Sequence, residues 1–406
     1  MSRVFLRLGD YSALRRQVFL LVVVNSIFGF AYGFAAPSVA PLIVLIKVTM
    51  TFVGNARTAA RGLGTVLRPL LGPLIDRYGA KPFYLVGGAL TVAGYVSYAL
   101  TESWSLLGAG LLLVELDFYV RGLARTAAIG SCSDSETRGK AFSLDLGLAE
   151  MASAVAPLVG GYFAGTLQLP FQWIFWISTG LTVFSLTLMA TKHSPSRMSD
   201  AFPSVSIKGY FRQAFSIDRR LRAIAFVSVL DSVFWSLSFP FYNLFIYKEL
   251  GATTEQLGIA VAIMSASPAI SALTLGPMLD KWRTTRFLAV SEFMALGAIL
   301  PILVATRPEV AYFASIFWGL VYSLWVPAMN SYMLDTVGPE KFARATGSLS
   351  LLTGIFAIPS PAIAGWLYDN VSPKVPFTVT LVAAIVIGVL IIVLFRKPRA
   401  LVRMSA

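Results

Sequence analysis

Twelve long apolar stretches, parted by short polar breaks, limit this chain more than any other feature. They lie near residues 17–46, 52–76, 82–100, 105–132, 141–165, 171–191, 222–247, 255–280, 286–305, 309–335, 343–369 and 375–395. A helix that crosses a bilayer needs about 20 mainly apolar residues, and each stretch supplies roughly that many. With 56% hydrophobic residues, 13% charged residues and a mean hydropathy of +0.73, the composition excludes a soluble fold. A β-barrel is excluded too, because the runs are too long and do not alternate with period two. The reading is an all-α, multi-pass membrane protein with twelve transmembrane helices.

Single residues narrow the chemistry. Basic residues precede the first stretch, which is too long for a signal-peptide core; despite the small residues of Ala35–Ala40 it is expected to remain as a helix, uncleaved. Cys132 is the only cysteine, which excludes an internal disulfide and a multi-cysteine metal site and suggests packing. His193, the only histidine, falls in the polar stretch after the sixth run and is expected on the solvated surface. Neither a metal nor a cofactor is expected, and no nucleophile–base pair suggests an enzyme.

Basic residues sort by side. With the N-terminus as reference, 24 of the 33 Lys and Arg fall in segments on its side, and only Lys47, Lys248, Arg307 and Lys374 fall opposite. Such a bias places both termini in the cytoplasm and the protein in the cell membrane. A net charge of +13 then needs no nucleic acid, since a basic inner face meets anionic lipid headgroups.

The longest polar segment, Thr191 to Arg222, carries seven basic residues and divides six stretches from six. It gives a first bundle at 1–190, a cytoplasmic linker at 191–221 and a second bundle at 222–406. An internal repeat relates the halves. "GPLID" at 72–76 returns as "GPMLD" at 276–280, "PLVGG" at 157–161 as "PAIAG" at 361–365, and Lys140-Ala141 as Arg344-Ala345, all at an offset of 204.

On these residues the chain resembles the major facilitator superfamily. The family's signature between helices two and three is glycine, three residues, Asp-Arg, one residue, glycine and a basic pair. Here it reads Gly72, Asp76, Arg77, Gly79 and a lone Lys81, with Ala80 displacing the first of the pair. A degenerate second copy has Gly276, Asp280 and Lys281, with Arg283 in place of the later glycine. A second signature follows the fourth stretch, where Asp134 precedes Arg138-Gly139-Lys140-Ala141. The resemblance implies two pseudo-symmetric six-helix bundles that rock about a central small-molecule site without ATP, with no cofactor and as a monomer. It also implies an inner gate at Gly72, Asp76, Arg77, Gly79, Lys81, Gly276, Asp280 and Lys281. Physically, Gly72 would allow close helix contact and Asp76 beside Arg77 could form charge pairs that break on rocking. A tight turn with a solvated charge pair is the plainer alternative.

Five arginines lie inside the stretches: Arg57, Arg61, Arg68, Arg121 and Arg125. A charge at the bilayer centre costs about 2.5–3.5 kcal/mol on insertion scales, so each should face a cavity or a partner. Counting about 1.5 Å per residue from the inner ends gives three layers. Arg68, Arg125 and Asp145 lie lowest, then Arg61, Arg121 and Glu150, then Arg57, Glu115 and Asp117. Arg57, Arg61 and Arg68 share one helix face, and Asp117, Arg121 and Arg125 form a second stripe at i, i+4, i+8. The second half offers Asp231 as its one clear counterpart.

Two readings stay open. The charges neutralise one another as a structural network, or Arg61, Arg68, Arg121 and Arg125 bind an anion through bidentate guanidinium forks. In the second reading Asp145, Glu150 and Asp231 are candidates for proton coupling. The other wall is aromatic: Trp318, Tyr322 and Trp325 at i, i+4, i+7, with Trp235 beside Asp231, while Asn25 and Asn330 are polar at depth. The expected function is secondary transport of a small organic anion, coupled to protons or another ion gradient. Export of hydrophobic drugs by the same fold is the first alternative, and a non-transporting sensor or scaffold the second.

Overall fold

A computed structural model describes residues 16–133, 138–193, 218–279 and 284–395. The first half comprises α1 (Arg16–Leu45), α2 (Met50–Tyr78), α3 (Ala80–Ala99), α4 (Trp104–Cys132), α5 (Arg138–Gly165) and α6 (Phe171–Lys192). The second comprises α7 (Arg222–Ser238), α8 (Tyr242–Lys248), α9 (Thr254–Leu279), α10 (Thr284–Phe293), α11 (Ala295–Val304), α12 (Val310–Val337), α13 (Pro339–Ala357), α14 (Ser360–Asn370) and α15 (Val375–Leu394). Three passes of the second half are interrupted. A 3-10 turn at Phe239–Phe241, holding Pro240, joins α7 to α8; Met294 separates α10 from α11; Ile358 and Pro359 separate α13 from α14. Proline lacks the N–H that would continue a helix, which accounts for the first and third breaks. Among the described residues fifteen helices thus make twelve passes, with no strand.

Eight segments would cross a membrane on length and hydropathy alone. The charges of α2 and α4 keep these two below that threshold, so what hides them from a hydropathy scan is also what they bring to the interior. Phe118, Phe184, Val304 and Val382 point outward, as side chains facing hydrocarbon must.

In the first bundle α1 packs on α5 and α6, and α3 on α4 and α6; in the second α7 packs on α13 and α15, and α12 on α9, α10 and α11. The bundles meet mainly along α2–α14 and α5–α9. Both seams lie on the side away from the chain termini, called distal here. A Cβ added at Gly54 of α2 would collide with the Pro361 carbonyl, and one at Gly258 of α9 with that of Pro157, so only glycine admits these crossings. Asp369, near the end of α14, locks the first seam. Its Oδ1 accepts the Met50 N–H at 3.1 Å, and its Oδ2 accepts the N–H and Oγ1–H of Thr51, each at 2.7 Å. Those amides open α2 and have no carbonyl within their own helix to bond, so a carboxylate there both satisfies them and meets the positive helix end. Ala362 N–H donates to Thr58 Oγ1 at 3.0 Å two turns deeper, and Thr166 bonds Glu255 across the second seam.

α2 meets α13 at Thr65, whose side chain lies against Gly354. Below it Gly72 has open space around it, so the close helix contact expected of that glycine is not made in this conformation. The halves are joined distally and part toward the side of the termini. Asp218, whose Oδ1 accepts the Arg220 N–H at 2.9 Å, leads into α7; residues 194–217, most of the expected linker, lie outside the described residues.

Candidate functional site

Between α2 and α4 the arginines of the first stripe form a ladder. Arg57 Nη1 lies 3.7 Å from Glu115 Oε2. One turn on, Arg61 meets Tyr119, four residues after Glu115 on the same face of α4. Arg61 Nη1 also donates to the Ala357 carbonyl at 3.1 Å, which places it at the level where the two halves begin to part. Arg68 is exposed and forms no carboxylate pair among the described residues.

The second stripe turns the other way, into the bundle. Arg121 Nε donates to both oxygens of Asp117 at 3.0 Å, and its guanidinium carbon sits 3.5 Å from the centre of the Phe28 ring and 5.7 Å from that of Tyr84. A cation between two aromatic faces, already forked onto a carboxylate, is enclosed. Arg125 commits Nε at 2.8 Å and Nη2 at 2.6 Å to Asp145 Oδ2. Asn25 Nδ2 donates to Asp145 Oδ1 at 2.6 Å, while Tyr84 O–H donates to Asn25 Oδ1 at 2.7 Å. α1, α3, α4 and α5 are thereby tied through one buried network.

In this conformation Asp117 engages Arg121 Nε, and Asp145 engages Arg125 Nε and Nη2 and Asn25 Nδ2. Asp145 is an ion-pair partner with three donors on it. The depth layers hold for Arg57 with Glu115 and for Arg125 with Asp145, but Arg121 reaches across layers to Asp117 through its own helix turn. The Glu150 side chain lies outside the described residues.

In the second half Asp231, Trp325 and Asn330 do come together. They line an open cavity of about 220 Å³ with Ser228, Ser232 and Thr353, between α7, α12 and α13. The aromatic face of α12 divides along its length. Trp318 is buried against Trp235, Phe239 and Tyr242, with ring centroids at 5.0, 5.8 and 4.8 Å, and Tyr242 O–H is in turn fixed by Ser315 at 2.8 Å. Tyr322, one turn toward the open side, is exposed. Trp318 and Trp235 therefore form the closed end of this wall, and Trp325 and Asn330 its lining. Sequence reasoning missed Glu292, a fully buried carboxyl in α10 that meets Asp231; a lone acid within the ninth apolar stretch was the signal.

Among the expected gate residues, Asp76 and Arg77 are exposed, and Arg77 lies over the Tyr78 ring at 5.2 Å. Gly79 has φ +82°, a left-handed conformation that favours glycine, and makes the sharp turn from α2 to α3; Gly338 repeats it before α13 at φ +78°. Lys81 Nζ donates to the carbonyls of Ala190 and His193, each at 2.7 Å, closing the end of α6. His193 is buried under this contact, not solvated as expected. Burial, and after it the Lys81 ammonium, holds its imidazole below the ordinary histidine value. Gly276 lies in α9, while Asp134, Asp280 and Lys281 fall outside the described residues.

Twelve apolar passes arranged as two six-helix bundles are the architecture of a membrane transporter. The sequence matches the Major Facilitator Superfamily over residues 18–217 and 224–404, and the chain belongs to that family. It is 23% identical to an uncharacterised MFS-type transporter of Methanocaldococcus jannaschii over 93% of this chain and 95% of that one. It is 26% identical to the multidrug resistance protein MdtH of Photorhabdus laumondii over 74% of this chain and 73% of that one. The fold superposes on the nucleoside transporter NupG with a TM-score of 0.73 at 15% identity, covering 95% of this chain and all of that one.

Proposed function

We propose that this transporter moves a small organic anion with an apolar part, driven by a proton or other ion gradient. Arg61 carries the reading. It sits at the level where the halves part, bonds the opposite half through a neutral carbonyl and has no close carboxylate pair, as does Arg68 below it. Two guanidinium groups that form no salt bridge among the described residues suit a carboxylate or phosphate ester. Trp325 and Asn330 across the cavity suit its remaining, apolar and hydrogen-bonding parts. In this reading 1–190 and 222–406 move as rigid bodies joined by the 191–221 linker, and the Lys/Arg bias puts the termini and the open side in the cytoplasm. Asp76 and Arg77, with Asp280 and Lys281, pair when the inner side closes. The protein works as a monomer.

The test is uptake into proteoliposomes of labelled carboxylates and phosphate esters under an imposed pH gradient. Arg61→Ala and Arg68→Ala are expected to lose at least tenfold in uptake while remaining folded. Normal transport by both variants would refute the anion site. Movement of cationic dyes that anions never inhibit would favour drug export, the reading suggested by the similarity to the Photorhabdus multidrug resistance protein and by the pairing of the other three arginines.

A further inference from the structure

Glu292 is the most completely buried acid among the described residues, with 0% of its surface exposed. Neither Oε1 nor Oε2 accepts a hydrogen bond from a described donor. Two side chains act on it, Asp231 of α7 and Trp235 one turn along the same helix. The Trp235 indole N–H faces it without closing a hydrogen bond. The contact with Asp231 is reciprocal, and among the described residues no Lys or Arg acts on either carboxyl.

Among the described side chains the surroundings supply no counter-charge; those of Glu340 and Arg344 on α13 are not among them. Among helices packed on α10, α11 and α15 carry no ionisable side chain, and α12 carries Tyr312, Tyr322, Tyr332 and Asp335. Arg286 of α10 is exposed, six residues before Glu292. On α7, Arg222 stands at the helix start, nine residues before Asp231. Against α7, α13 has Lys341, exposed near its first turn, and α14 has Tyr368 and Asp369 at the distal end.

Two adjacent carboxylates without a cation, inside a membrane bundle, cannot both stay charged: each is costly alone and each repels the other. A proton between them removes one charge and gives the orphaned oxygens a donor. We propose that Asp231 and Glu292 form a proton-binding site, with Glu292 as the buried store and Asp231, on the cavity wall, as the port to water. A proton from cavity water protonates Asp231 and passes across; an O–H bond forms on Glu292 as Asp231 returns to carboxylate. The site deepens the coupled-transport reading and rests on it for what the proton drives, whereas proton binding itself needs no substrate.

The experiment is infrared difference spectroscopy on the full chain in phosphatidylcholine vesicles, stepped between mildly acidic and mildly alkaline buffer with no substrate present. Wild type is expected to show a protonated carboxyl band at neutral pH that disappears on the alkaline side. Glu292→Gln should abolish it, and Asp231→Asn should shift it and slow its exchange at least tenfold. Absence of the band from wild type, which requires no variant to fold, overturns the proposal. So does a band unchanged in both variants. Loss of the band when sodium replaces choline at fixed pH also overturns it, in favour of a cation site. An intact band in a protein that never takes up anions would leave this site standing and remove the anion reading, so the two failures are distinct.

Discussion

Asp145 in the first bundle and Glu292 in the second are both carboxyls buried inside a membrane protein, and their neighbours differ in every respect. Asp145 has Arg125 on one oxygen and Asn25 on the other, with Tyr84 holding the asparagine. Glu292 has a second acid and an indole. The same contrast runs through the halves: Asp117 and Glu115 each have an arginine, whereas the one described ionisable partner of Asp231 is another acid, Glu292. Burial by itself therefore says little about role. A carboxyl whose charge is matched and fully hydrogen-bonded ties helices together; one left unmatched must change its charge or find a ligand.

That contrast can be broken by experiment, and the largest effect is expected at Asp145. Asp145→Ala leaves Arg125 without its partner and should cost about 3 kcal/mol, read as a large drop in thermal stability of the purified protein. Glu292→Gln should leave stability unchanged or raise it, because no cation loses a partner. Equal losses in both variants would erase the distinction between the halves.

Next in size is the wedge at the distal seam. Gly258→Leu places a side chain against the Pro157 carbonyl and should cost the closed arrangement about 1–3 kcal/mol. A reactive cysteine introduced on the distal side of a Cys132→Ser background should then label several-fold faster, whereas Gly72→Leu, in open space, should leave labelling of this state unaltered. Asp369→Ala removes the same closure more gently, by about 1 kcal/mol, the usual scale of a lost helix cap.

The smallest effect concerns His193. Its folded value lies below that of the unfolded chain, so the unfolded state binds the proton first. Its contribution is complete above the ordinary histidine value and is lost as pH falls through it. Thermal stability should decline by a few degrees from neutral to mildly acidic pH, and His193→Gln should flatten that slope.

Much of this architecture was legible in the residues. Twelve apolar runs and the repeat at an offset of 204 contain the two-bundle fold, because a bilayer admits few alternatives to helices. Depth counting found the partners of Arg57 and Arg125, since height along a straight helix follows from residue number. It failed for Arg121, whose partner lies within its own helix, and it gave no rotation between helices, so it could not tell the ladder facing the parting line from the stripe facing inward. Glu292 was passed over because a single acid barely alters the hydropathy of a long run. His193 was misread for a related reason: local polarity says nothing of a lysine brought over from α3.

The carboxylate of Asp369 belongs to α14, yet the amides it satisfies open α2, so the first turn of one helix is completed by the other bundle. When the distal seam opens, that turn loses its terminal acceptor and should fray. The Met50 and Thr51 amides would then exchange with solvent deuterium at a rate set by how often the halves separate. A clock for the transport cycle is thus built into two backbone N–H groups, readable by mass spectrometry without any added label.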